Sequence, residues 1–184
     1  MSNRGTQLHN AADRQISGLI DILSSHGETV LPLPCPGREK LGDGTVAATA
    51  LHAADNYHRI AEFLGAGNNR SSALGMRWRD RHLIPGIAGA RGHGSRMHGA
   101  GRGSNYRARD IDLPGVLERL SSAREALSIL ADLTDEQLDA VPPRSEMKFC
   151  DGKRTLEQIV GNLLKHQGHQ LDALNAAVAQ APAA

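Results

Sequence analysis

The residues best suited to chemistry are histidines in two distant stretches. "NLLKHQGHQLDAL" (162–174) carries His166 and His169, with Gln170 four residues after His166. "TALHAADNYHRI" (49–60) carries His52 and His58, with Asn56 four residues after His52. An imidazole can ligate a metal, carry a proton near neutral pH, or donate a hydrogen bond. Residues four apart share a helix face, so His166 pairs with Gln170 rather than with His169. At roughly 100° per residue, His166 lies to one side of its helix's apolar stripe. Gln170 lies nearer the stripe on the same side, and His169 faces solvent. His52 falls on a secondary line with Thr49, Asn56 and Phe63 that could face a cleft. His58 lies off the stripe on the other side, as a surface or boundary residue does. A metal needs three or four donors, and spacing alone supplies neither an HExxH motif nor a cysteine cluster.

These side chains need elements to hold them. Ile16, Leu19, Ile20 and Leu23 recur at helical spacing and predict a first helix over about 7–26, stopped by Gly27. "LPLPCPGREKLGDG" (31–44) has three prolines and three glycines and predicts a loop, with Cys35 as an unreactive thiol within it. A second helix over about 45–64 buries Val46, Ala50, Ala53, Tyr57, Ile60 and Leu64, capped by Thr45 or Asp43. A third starts at Asp112 with Pro114 in its first turn and runs to about Ala131. Capping-box patterns at Thr134–Gln137 and Thr155–Gln158 open a short helix and a last one reaching about Ala179. The apolar stripe of the last helix is expected at Leu156, Val160, Leu163, Leu171, Leu174 and Val178.

Residues 66–111 differ from the rest. They hold nine arginines against two aspartates, a net +7 within a chain whose total is only +1. The length of this Gly/Arg-rich insert, without lasting period, points to a functional or unstructured loop between the second and third helices. Ala- and Leu-rich composition with few aromatics favours an all-α fold as a single domain of residues 1–184. Two cysteines without a CxxC motif, a polar N-terminus and no long apolar run predict a cytoplasmic protein without a membrane span.

Taken together, "DGTVAATALHAADNYHRIAEFL" (43–64) and "DGKRTLEQIVGNLLKHQGHQLDAL" (151–174) resemble the DinB/YfiT-like superfamily of metalloenzymes. The likeness rests on a Thr-Val opening seven residues before His52, a Thr-Leu opening eleven residues before His166, and the lead-in "LTDEQLDAVPP". It covers about 8–65 and 112–178. The resemblance implies a four-helix bundle with crossover connections. It also implies a divalent transition metal, zinc or nickel, held by one helix-2 residue and two helix-4 residues. By position these are His52, His166 and Gln170. Gln170 departs from the pattern, which has histidine there. The implied chemistry is that of thiol S-transferases and isomerases, in which the metal activates a low-molecular-weight thiol or a water, and the implied assembly is a homodimer.

Three functions follow. The first is a metal-dependent enzyme with His52 and His166 as catalytic ligands, and with Asn56 and the insert's Arg107 and Arg109 holding an anionic substrate. The second keeps the bundle without the metal, as a small-molecule-binding protein or acid–base catalyst in which Gln170 replaces a lost ligand. The third, and least favoured, is nucleic-acid binding through the Arg/Gly tract 91–109, where Tyr106 alone offers stacking.

Overall fold

The computed structural model describes residues 2–69, 106–144 and 148–180. They form five α-helices and three short 3₁₀ segments, with no strand among the described residues. Helix α1 spans Asn3–His26, α2 Val46–Asn69, α3 Leu113–Ala126, α4 Asp135–Asp139 and α5 Leu156–Ala179. Of the basic insert, the first residues continue α2 to Asn69, 70–105 lie outside the described residues, and 106–111 are described.

Local chemistry sets the helix ends. Ser2 caps α1, accepting from the amides of Arg4 and Gly5, so the helix starts earlier than its apolar period suggested. Gly27 ends it with φ of 67°, a conformation that glycine adopts without strain. Asp112 caps α3, with Pro114 in the first turn. The helix then tightens into a 3₁₀ segment, Leu127–Asp132, which accounts for the rest of the expected third helix. Both capping boxes form as expected, at Thr134 and at Thr155.

The core sits where α1 and α2 each pack against both α3 and α5. All six expected apolar positions of α2 are buried, and five of its buried positions (Ala47, Ala48, Ala50, Ala53 and Ala54) are alanines that let neighbours approach closely. Leu171 of α5 lies directly over Gly18 of α1, 3.1 Å from where a Cβ would stand. The buried face of α5 differs from the expected one. It comprises Leu156, Ile159, Val160, Leu164, Gln167, Gln170, Ala173, Leu174 and Ala177, while Leu163, Leu171 and Val178 lie at its margin. Two glutamines occupy core positions, so a stripe drawn through apolar residues alone was turned away from the true buried face.

A buried polar link joins three helices. The Tyr57 hydroxyl on α2 donates to Gln15 Oε1 on α1 (2.9 Å), and Gln15 Nε2 donates to the carbonyl of Leu164 on α5 (3.0 Å). Burial raises the Tyr57 pKa and keeps the phenol protonated.

Candidate functional site

An open cleft of about 440 Å³ lies between the loop preceding α2, α2 itself and α5. It is lined by residues 37–41 together with His52, His166 and Gln170. The structure thus brings together His52 and His166, residues of helices more than a hundred positions apart, and places Gln170 beside them. The volume falls in the range that small-molecule sites occupy.

The loop wall is built by turns and glycines. The amide of Cys35 donates to the carbonyl of Gly44 (2.7 Å), that of Leu41 to Arg38 (2.8 Å) and that of Gly44 to Leu41 (2.9 Å). The first free amides of α2, Val46 and Ala47, donate back to the carbonyls of Leu33 (2.9 Å) and Leu31 (3.0 Å). The loop therefore caps the helix that carries His52. Cys35 is 1 % exposed and hydrogen-bonds Thr49. Burial pushes its thiol pKa up, which fits the expected unreactive thiol.

On α2, the Arg59 guanidinium donates to Asn56 Oδ1 (3.3 Å), which turns the Asn56 amide nitrogen toward His52 Nε2 (2.8 Å). His52 Nε2 is then an acceptor, and the ring proton resides on Nδ1. Burial, with His166 and Arg59 nearby, pushes the His52 pKa down to about 4, against a smaller opposing pull from Asp55. The ring is neutral at physiological pH. His166 is more exposed, and burial followed by the charge of Arg38 lowers its pKa as well. Its Nε2 accepts from Gln170 Nε2 (3.1 Å). Gln170 is 2 % exposed, and its Oε1 is buried with no hydrogen-bond partner.

The cations of the cleft come from the loop. Arg38 Nη2 donates to the carbonyl of His169 (2.7 Å), anchoring the loop to α5, while Arg38 Nε is buried without a partner. Lys40 lines the same wall, and Glu39 accepts from the amide of Gly37 (2.9 Å). Arg38, Lys40 and Leu41 were not singled out in the sequence. The charged "REKL" set between glycines in a proline-rich loop was the signal that could have found them.

The remaining expected residues lie elsewhere. Asn56 supports His52 and does not line the cleft. Arg107 and Arg109 are exposed and outside the cleft lining, and Arg109 pairs with Asp110 (3.6 Å). His169 is exposed, as expected, and acts through its carbonyl. His58 is half-buried and donates from Nε2 to the Arg119 carbonyl (3.1 Å). Most of the tract 91–109 lies outside the described residues. Tyr106 donates to the buried Asp55, which also accepts from Arg119.

The zinc or nickel centre that the resemblance implies finds a poor match in these residues. Its donors would be two imidazoles and a neutral carboxamide, and each imidazole Nε2 is already paired with an amide four residues on. Among the described residues no three of His, Cys, Asp and Glu gather as a metal-binding group. No helix among them is long and apolar enough to cross a membrane. No protein-family model, curated protein or solved structure matches the chain.

Proposed function

We propose that the chain is a DinB/YfiT-like four-helix bundle, built from α1, α2, α3 and α5, that binds a small anionic molecule without a resident metal. One observation carries this reading. A single cleft gathers a guanidinium, an ammonium, two imidazoles of lowered pKa and a glutamine side chain. A cationic wall attracts an anion, and neutral imidazole N–H groups donate hydrogen bonds to it without adding charge. His52, held as the Nδ1–H tautomer, would polarise a bound oxygen as a neutral electrophile does in some isomerases. Thiol activation, which depends on a metal, is not part of this reading.

The test is a proton NMR titration of the nine imidazole rings with acetate and with inorganic phosphate at pH 7.5. The expected result is a saturable shift confined to His52 and His166 that disappears in Arg38→Gln. Uniform small shifts across all rings, or none, would refute the proposal. Elemental analysis of untagged protein provides a second arm. Stoichiometric zinc or nickel, lost in His52→Ala and His166→Ala, would replace this reading with the metal-dependent one.

A further inference from the structure

Tyr106 lies outside the cleft lining, yet it grips two of the elements that form the cleft. Its carbonyl accepts from the amide of Asp43 (3.0 Å), in the loop whose residues 37–41 make one wall. Its hydroxyl donates to the Asp55 carboxylate on α2, the helix that carries His52. The grip on the loop is reinforced on either side. Asp43 Oδ2 accepts from the Ala108 amide (2.7 Å), while its Oδ1 accepts from the Thr45 hydroxyl (2.6 Å) beside the start of α2. Gly42 lies against the Tyr106 carbonyl, and the Gly44 amide donates to the carbonyl of Leu41 (2.9 Å), the last lining residue of the loop. The grip on α2 is as specific. Asp55 is 9 % exposed, and a carboxylate so buried needs donors. It accepts from Tyr106 on Oδ2 and from Arg119 Nε of α3 on Oδ1 (2.5 Å). Asp55 stands three residues after His52, on a shared face of α2, and directly before Asn56, whose amide meets the His52 ring. The segment around Tyr106 is itself seated, with Ala108 and Ile111 packed on the hydrophobic core.

We propose that Tyr106 is a positioning residue for the cleft: it locks the loop bearing Arg38 and Lys40 to the helix bearing His52, and so fixes the cationic wall against the imidazole. This rests on the cleft being the anion site described above. The main chain of Tyr106 holds the loop whatever its side chain, whereas the hydroxyl ties that contact to α2. Without the hydroxyl, Asp55 keeps the Arg119 bond and loses this donor, and the loop can shift against α2. An anion held between the two walls then loses good hydrogen-bond geometry with one of them.

Tyr106→Phe keeps the ring and removes the hydroxyl. Tyr57→Phe, the same change at a phenol bonded to α1 rather than tied to the loop, controls for lost stability. Phosphate affinity at pH 7.5 is read from the His52 and His166 ring shifts, and the position of the loop from the backbone amide signals of residues 37–41 in the free protein. Tyr106→Phe is expected to bind phosphate at least about fivefold more weakly than the unmodified protein, with the 37–41 signals displaced. Tyr57→Phe is expected to stay within about twofold, with those signals unmoved. Equal affinity in Tyr106→Phe and the unmodified protein overturns the inference while leaving the anion site standing. So does a matching loss in Tyr57→Phe, a loss in Tyr106→Phe without movement of the loop signals, or a Tyr106→Phe chain that no longer folds by circular dichroism. If the unmodified protein binds no phosphate, the anion site falls, and this role of Tyr106 with it.

Discussion

His52 and Gln170 show how a residue's neighbours decide its chemistry. His52 is held at a pKa of about 4 chiefly by burial, whereas a free imidazole titrates near 6.5. The unfolded chain thus takes up a proton on acidification that the folded chain refuses. Above pH ~6.5 both states are neutral at this site and stability is unaffected. Between that pH and about 4, stability falls as the pH falls. With allowance for solvent screening, His52 should cost roughly 1–2 kcal/mol at pH 5 relative to pH 7.5, and His166 acts in the same direction. Urea unfolding at the two pH values measures this, and His52→Gln should flatten the difference. A slope unchanged by the substitution would mean that His52 is not the group responsible. Gln170 invites the converse experiment. It shares a helix face with His166 four residues earlier, so Gln170→His would place a third imidazole at the cleft. The variant should bind zinc at least about tenfold more tightly than the parent by competition with a chromogenic chelator. No gain would indicate that α2 and α5 do not converge closely enough for three ligands.

At the level of elements, the loop before α2 determines the site. Gly42 lies at φ of 60°, and a side chain there would run into the carbonyl of Tyr106 and the Ala48 methyl. Asp43 ties the same point to the later segment, its amide donating to the Tyr106 carbonyl (3.0 Å) and its carboxylate accepting from the Ala108 amide (2.7 Å). Gly42→Ala should therefore destabilise the protein by about 1–3 kcal/mol in denaturant unfolding and weaken anion binding, because the wall shifts. Much of this level was legible in the sequence. Glycine, proline and capping residues act locally, so Gly27, Asp112, Thr134 and Thr155 marked their helix ends correctly. The secondary line of α2 through His52 was also legible, because a second stripe implies a second neighbour. The rotation of α5 was not. Gln167 and Gln170 are buried by their tertiary surroundings, and hydropathy assigns such residues to the surface. Nor could spacing show that Arg38 reaches the carbonyl of His169, a contact across 131 residues.

For the molecule as a whole, polar contacts across the core fix how the helices sit. Tyr57 is fully buried, and its hydroxyl is the link from α2 to the Gln15 amide that also holds α5. Tyr57→Phe keeps the ring and leaves Gln15 Oε1 without this donor. A loss of about 1–2 kcal/mol is expected in thermal or urea unfolding, with little change in the fold as judged by circular dichroism. A variant as stable as the parent would show that the link is dispensable. The ion cluster of Arg4 with Asp139 (2.7 Å) and Glu157 ties the start of α1 to α4 and α5 at the surface, where screening makes it a weaker fastener.

The division of labour around the cleft has a consequence for redesign. The bundle supplies the imidazoles and the carboxamide, whereas every formal charge on the lining is carried by three consecutive loop residues, Arg38, Glu39 and Lys40. The backbone of that loop is already committed to closing α2, through Val46 and Ala47, and its glycines shape the turns. The side chains of Glu39 and Lys40 are thus exchangeable on a fixed chassis, whereas that of Arg38 also anchors the loop to α5. Lys40→Glu alone would turn the loop face from net positive to net negative without touching a residue of the helical core.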